Sequence, residues 1–421
     1  MLDNNWPAKI SKAYTEASLI LEQQSGHLDK ISWHNHQKVL NAFQQENISA
    51  YDLHGSNGYG LGDRGRECLD HIFAHILGTE DALVRGQFVS GTHAIATALY
   101  GILRPGDKLV SVSGNPYDTL EEVIGLHRGG TGSLKDLGVD YAHIPLTEEG
   151  AIQYERFAEV ITSNTKLLMV QRSCGYAWRP SLSIDKLNEL VQYVRSHYPN
   201  LLIFVDNCYG ELVETMEPGD IGADLMAGSL IKNLGGTLAP TGGYIAGKAD
   251  LVELAAARLT APGIGREVGA TLEWQKLFYQ GLFFSPLTVG EAIKGAIFTA
   301  AFWRALGYEV HPQPEDLRTD LIQAVKLGSR EKMIAFCQGL QKGSPIDSHV
   351  LPIPSEMPGY QDEVIMAGGT FIQGATSEFS ADGPLRPPYI VYQQGGISQT
   401  YVKMGNVLAA LSLHKNGLLN D

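Results

Sequence analysis

Two residues in this chain carry chemistry by type and place. Lys232 follows the apolar run Asp224-Leu225-Met226-Ala227-Gly228-Ser229-Leu230-Ile231. Asp206 closes the preceding apolar run, Leu201-Leu202-Ile203-Phe204-Val205. Each ends a stretch that reads as a buried strand. An amine and a carboxylate placed so meet the needs of pyridoxal phosphate chemistry. The amine condenses with the cofactor aldehyde, and the carboxylate keeps the pyridine nitrogen protonated so that the ring accepts electrons from a substrate. A strand-capping lysine and a turn aspartate are the plainer readings of either residue alone. In order, at successive strand ends, the two together favour the cofactor.

Three further segments fit around that pair. Val89-Ser90-Gly91-Thr92-His93 follows a strand and opens a helix. Ser90 caps the helix, and the first-turn N–H groups at Gly91 and Thr92 offer an anion site suited to the cofactor phosphate. Ser229, just before Lys232, is a second phosphate hydroxyl. Ser113-Gly114-Asn115-Pro116-Tyr117 follows another strand, and Tyr117 there could lay its ring on the pyridine.

These residues need a scaffold, and the hydrophobic pattern supplies one. Strands are expected over Ala82–Val89, Lys108–Val112, Asp140–Ile144, Lys166–Gln171, Leu201–Asp206, Asp224–Ala227 and Gly243–Ala246. Helices are expected between them, over Thr92–Leu103, Thr119–Gly125, Tyr154–Ile161 and Asp185–Ser196. Apolar strands alternating with helices predict an α/β fold with a mainly parallel sheet covered on both faces. Such sheets bind ligands at the carboxyl ends of their strands, where Asp206 and Lys232 lie. Before the sheet, residues 7–47 read as two polar-rich helices broken near Gly26. After it, a helix is expected from Gly290 to Leu306, strands over Val364–Gln373 and Tyr389–Gln393, and a last helix over Ser398–Leu413. The expected domains are a helical extension over 1–50, a large cofactor-binding domain over 51–289 and a small α+β domain over 290–421.

Bulk composition narrows the partners. The chain has 421 residues, 44% hydrophobic and 19% charged, with a net charge of −14. So acidic a chain lacks the general field that draws nucleic acid or an anionic membrane. Four cysteines without a CxxC spacing suggest a reducing compartment. The opening Met1-Leu2-Asp3-Asn4-Asn5-Trp6-Pro7 lacks the pattern of a secretory leader, and no apolar run has transmembrane length, so a cytoplasmic protein is expected.

The motifs together resemble a known group. Val205-Asp206-Asn207 and the Ser90-Gly91 turn are similar to fold type I pyridoxal phosphate enzymes of cystathionine and methionine metabolism, the aspartate aminotransferase-like architecture. Ser229-Leu230-Ile231-Lys232-Asn233, Thr241-Gly242-Gly243-Tyr244, the Arg258–Gly265 segment and Gly383-Pro384-Leu385-Arg386-Pro387-Pro388-Tyr389 resemble one branch of it, the aluminium-resistance or cystathionine β-lyase-like proteins. The resemblance implies a seven-stranded large-domain sheet and a carbon–sulfur lyase acting on a sulfur amino acid such as cystathionine. Another reaction of the same cofactor (an aldolase, racemase or aminotransferase) or a non-catalytic cofactor-binding protein stays open. It also implies a homodimer or homotetramer in which Tyr59 and Arg64, in the glycine-rich segment His54–Arg66, reach the neighbouring subunit's phosphate. Arg386 is implied to grip the substrate α-carboxylate, for which a guanidinium fork is suited. Tyr176 and Arg172 could reach the substrate. The chain departs from its wider group at Leu230, where a hydroxyl is usual, and at Asn115 and Pro116, where methionine γ-lyases often carry a cysteine near the stacking tyrosine.

Other signals carry less. His71 and His75 share a helix face but lack the HExxH pattern, so no metal site is read. Cys174 and Cys208 follow strand ends and read as small buried thiols.

Overall fold

The computed structural model describes residues 6–127, 131–147, 149–357, 360–375 and 377–420; the opening residues 1–5, read above for a leader, lie outside these. The chain forms two compact units, one of residues 34–174 and 179–286, the other of residues 1–33, 175–178 and 287–421.

In chain order the helices are α1 (Ala8–Gln45), α2 (Arg64–Leu77), α3 (Gly91–Ile102), α4 (Asp118–Ile124), α5 (Phe157–Val160), α6 (Ile184–His197), α7 (Ala249–Leu259), α8 (Gln275–Ala305), α9 (Arg330–Gln341) and α10 (Gln399–Lys415). The break expected near Gly26 does not occur, and α1 runs through it. A glycine costs a helix about 1 kcal/mol relative to alanine. Against that, Ile10, Ala13, Ala17, Leu21, Leu28, Val39 and Ala42 form one buried stripe at helical spacing on both sides of Gly26. The helix expected from Gly290 begins earlier, at Gln275, and carries Pro286 inside it.

The larger unit holds a seven-stranded sheet: β1 (Asp81–Arg85), β2 (Lys108–Ser111), β3 (Asp140–His143), β4 (Thr165–Gln171), β5 (Leu202–Asp206), β6 (Leu225–Ser229) and β7 (Gly243–Gly247). Their spatial order is β1-β7-β6-β5-β4-β2-β3. Pairing is parallel from β3 through β2, β4 and β5 to β6. Only β7 is reversed, lying antiparallel to both β6 and β1. β5 and β6 are buried along almost their whole length, as strands covered on both faces must be. Leu83, Leu109, Met169, Phe204, Leu225 and Ile245 pack against Ala94, Ile95 and Leu99 of α3 and Val252 and Ala255 of α7.

Helix boundaries follow local chemistry. Asp63 caps α2 by accepting from the Arg66 N–H at 2.9 Å, and Gly78 ends it at a φ of 67°. Ser90 caps α3 by accepting from the His93 N–H at 3.1 Å. β1 stops at Arg85, short of the expected Val89, because residues 86–89 turn toward that cap.

The smaller unit contains a five-stranded sheet of β8 (Glu309–His311), β9 (Gln323–Lys326), β10 (Val364–Ala367), β11 (Ser380–Pro384) and β12 (Ile390–Gln394), in the order β10-β11-β12-β9-β8. Every pairing in it is antiparallel. The strand expected over Val364–Gln373 ends at Ala367. Among the described residues no helix is long and apolar enough to cross a membrane.

Candidate active site

Because β1, β2, β4, β5 and β6 run in one direction, the segments that leave them emerge on one edge of the sheet. Ser90 follows β1, Tyr117 follows β2, Gln171 ends β4, Asp206 ends β5, and Ser229 and Lys232 end and follow β6. These residues come from widely spaced parts of the chain, and the sheet direction alone gathers them.

Asp206 is buried, and its Oδ1 accepts the Cys208 N–H at 3.2 Å. Among the described residues no cation forms an ion pair with it. Burial pushes its carboxyl above the usual range, opposed by the nearby Lys232 and by hydrogen bonds from Cys208. Lys232 stands on the turn after β6. Burial would strip its charge, but Cys208, Tyr209, Asp206 and Tyr117 outweigh that and hold its proton affinity well above the ordinary lysine range. Its Nζ lies 3.9 Å from the centre of the Tyr209 ring.

Tyr117 is set by two contacts. Its N–H donates to Gln171 Oε1 at 3.0 Å, and its hydroxyl lies 3.1 Å from Thr92 Oγ1. Burial holds the phenol well above its usual value, reinforced by Asp206 and Cys208. The Ser90-Gly91-Thr92 turn sits close against β6. A Cβ on Gly91 would come within 3.1 Å of the Ser229 Cβ and 3.4 Å of the Cys208 sulfur. Ser229 Oγ also accepts the Ile231 N–H at 3.3 Å, which shapes the approach to Lys232.

The residues present fit pyridoxal phosphate. A buried carboxylate that no ion pair occupies suits a protonated pyridine nitrogen. The start of α3, kept open by Gly91 and flanked by Ser229, suits a phosphate.

Two expected residues are not gathered there. Tyr59 is 79% exposed, and Arg64 forms an ion pair with Asp52 in the same segment. No hydrogen bond or ion pair joins either to Lys232, Asp206, Ser90 or Ser229. Arg172 is fully buried and committed to structure, its guanidinium bonded to Asn207 Oδ1 at 2.8 Å and to Glu214 Oε2 at 2.6 Å. It cannot reach a substrate. His71 and His75 both turn to Glu46.

In the smaller unit, Arg386 and Tyr176 line one pocket of about 140 Å³, together with Trp178, Tyr392 and the prolines 387 and 388. Tyr392 donates its hydroxyl hydrogen to the Tyr176 carbonyl at 2.7 Å. Arg386 is half exposed and lies 3.1 Å from Asp362 Oδ2. Aromatic walls around one guanidinium give a cavity able to hold an amino-acid carboxylate and its apolar side chain.

The sequence reading passed over three residues. Gln171 fixes Tyr117 from a neighbouring strand, a partnership no motif announces. Tyr209 and Glu211 sit in the loop after Asp206, where a tyrosine and a glutamate read as ordinary surface residues.

Comparison with known proteins gives the family and the fold. The model of the family described as methionine gamma-lyase matches residues 10–414. An uncharacterized Bacillus subtilis protein, YnbB, is 51% identical over 394 residues, 93% of each chain. The structure of a carbon–sulfur lyase involved in aluminum resistance from Clostridium novyi is 45% identical, with a TM-score of 0.93, covering 98% of this chain and 99% of that one. A methionine gamma lyase from Micromonospora echinospora is only 20% identical, with a TM-score of 0.55 over 82% of this chain and 85% of that one, and shows the fold alone. The fold is the fold type I architecture expected from the sequence, and the similarity to the aluminium-resistance branch holds over nearly the whole chain.

Proposed function

Because the chain belongs to the methionine gamma-lyase family, we propose that it is a carbon–sulfur lyase that acts on a sulfur-containing amino acid with pyridoxal phosphate held at Lys232. One observation carries the reading: a buried Asp206, in no ion pair among the described residues, stands within electrostatic reach of the Lys232 amine on the carboxyl edge of the sheet.

When bound, the cofactor supplies an electron sink for negative charge at the substrate α-carbon. The chain's own residues do the rest. Asp206 keeps the proton on the pyridine nitrogen. Ser229 and the turn of Ser90, Gly91 and Thr92 hold the phosphate, and Tyr117 offers its ring face to the pyridine. Lys232 Nζ takes the proton from the substrate α-carbon and later returns one. Arg386 grips the substrate carboxylate, with Tyr176 beside it. Tyr59 and Arg64, exposed in their own subunit, serve the phosphate of a neighbour in a homodimer or homotetramer. All four cysteines are buried and outside any disulfide, which suits a cytoplasmic enzyme.

The test is a screen of cystathionine, methionine and related amino acids for release of keto acid and thiol by the full-length chain with added pyridoxal phosphate. Pyruvate would mark elimination at Cβ, and 2-oxobutyrate elimination at Cγ. The expected result is release that is lost in Lys232→Ala, with borohydride fixing the cofactor to Lys232 in the parent. Turnover that survives Lys232→Ala, or cofactor fixed to another lysine, overturns the reading.

A further inference from the structure

The loop after Asp206 is built to hold one ring in place. Tyr209 has a φ of 71° and Leu212 a φ of 60°, a left-handed backbone that residues with side chains rarely adopt and that persists only where surroundings enforce it. The surroundings are visible. Arg172 Nη1 donates to Asn207 Oδ1 at 2.8 Å, and a Cβ on Gly210 would come within 2.6 Å of the Arg172 side chain. Tyr244 donates to Glu211 Oε1 at 2.8 Å, and Asn233, next to Lys232, donates through Nδ2 to the Glu211 carbonyl at 2.9 Å. So pinned, the loop presents the Tyr209 ring to the Lys232 amine at 3.9 Å from the ring centre.

The groups around that amine make the contact informative. Asp206, Cys208, Glu211 and Tyr117 all lie within its electrostatic reach. Yet among the described residues Lys232 forms no ion pair with a carboxylate. An aromatic face, that of Tyr209, is in contact with its charge.

We propose that Tyr209 is a positioning residue, whose ring receives the Lys232 ammonium whenever the amine is free and so keeps that charge off Asp206. The role rests on the reading of Lys232 as the cofactor lysine. A free ammonium beside a buried carboxylate would otherwise close onto it, and a lysine–aspartate pair would occupy the group needed at the pyridine nitrogen. A ring face attracts a cation without a directional hydrogen bond, and so holds the amine in place without tying it to an acceptor.

The experiment titrates the amine itself. The full-length chain, freed of cofactor with hydroxylamine, is labelled with acetic anhydride from about pH 7 to 12, a span that reaches past the ordinary lysine value, and rates are compared at each pH. Acetylated Lys232 is quantified by peptide mass spectrometry. Tyr209→Asn and Tyr209→Gly both suit a left-handed backbone and remove the ring. Both are expected to label Lys232 roughly ten-fold or more slowly at a fixed pH below the midpoint, with the midpoint moved up, because the ammonium then closes onto Asp206. Tyr209→Phe keeps the ring and is expected to keep the parent profile. A labelling rate that stays or rises in the Asn and Gly variants overturns the proposal. So does a changed plateau alone, which reports access, or a Phe variant that shifts as far as the others. Should the Asn and Gly variants fail to fold, the Phe variant decides by itself, since any shifted midpoint there overturns the role of the ring. Borohydride trapping of pyridoxal phosphate on the parent is read separately. Cofactor fixed elsewhere would sink the lyase reading, while the labelling would still decide the ring–amine contact.

Discussion

Tyr244 on β7 donates its hydroxyl hydrogen to Glu211 Oε1 across 2.8 Å, and both side chains are fully buried. Gly228, paired with Tyr244 across β6 and β7, makes room for them, since a Cβ there would come within 2.6 Å of both oxygens. The other oxygen of Glu211 has no partner among the described residues. Burial pushes this carboxyl up to about 8, with the Tyr244 hydrogen bond opposing.

Stability should therefore depend on pH through Glu211. Its folded pKa lies above its unfolded value, so the favourable contribution of the protonated acid is complete below about pH 4.5 and is lost as pH rises through about 8. Within that window the loss approaches about 1.4 kcal/mol per pH unit. Glu211→Gln keeps an acceptor for Tyr244 and removes the titration. Melting temperatures of parent and variant, compared from acid to alkaline pH, should diverge in the variant's favour up to about pH 8 and then run parallel. A constant difference would count against a raised Glu211.

Asp206→Asn should keep pyridoxal phosphate but lose activity by about 10²–10³-fold, as loss of a preorganised electrostatic group does. An amide in place of the carboxylate cannot hold the pyridine nitrogen protonated. Keto-acid release and exchange of the substrate α-proton in heavy water provide the measurements. An unchanged exchange rate would remove Asp206 from the mechanism.

Arg386→Lys should raise KM by about ten-fold while leaving the cofactor spectrum unchanged, because an ammonium keeps the charge and loses the two-point fork. Comparing an amino acid with its amide isolates the effect. If the variant prefers the acid over the amide as strongly as the parent does, Arg386 does not bind the carboxylate.

Mixing Tyr59→Ala with Lys232→Ala subunits should restore activity that neither parent has. In a mixed dimer one site collects both defects and the other collects none, so partial activity, toward half of normal per mixed dimer, is expected. Native mass spectrometry establishes that mixed dimers exist, and the lyase assay reads their activity. Inactive mixed dimers would place Tyr59 outside the neighbouring site.

Much of the sheet was legible because its strands are buried on both faces and so read as continuous apolar runs. Asp206 and Lys232 stood out for the same reason, as charges at the ends of such runs. The reversal of β7 left no mark in strand counting: the connection from β6 is long enough for a crossover, yet it holds only turns and a short 3-10 segment in place of the helix that usually joins parallel neighbours. The length of α1 was hidden because Gly26 reads locally as a break, whereas the buried stripe that overrides it spans the whole helix. Gln171, Tyr209 and Glu211 were invisible for another reason. Each acts through a partner distant in sequence, and nothing in its own neighbourhood names that partner. Arg172 erred the opposite way, since a charge beside a strand end looks available until Glu214 and Asn207 claim it.

The reversed β7 also sets an order of assembly. At the edge of its sheet, β1 has β7 as its sole strand neighbour among the described residues, pairing Asp81 with Gly247 and Arg85 with Gly243. As the polypeptide leaves the ribosome, β1 emerges early and has no strand to pair with until the residues of β7 follow. The long intervening loop makes this a late, non-local closure. The helix that presents Ser90, Gly91 and Thr92 hangs directly from β1. A nascent chain cut short before β7 thus carries every residue of the phosphate cradle and lacks the strand that anchors one side of it.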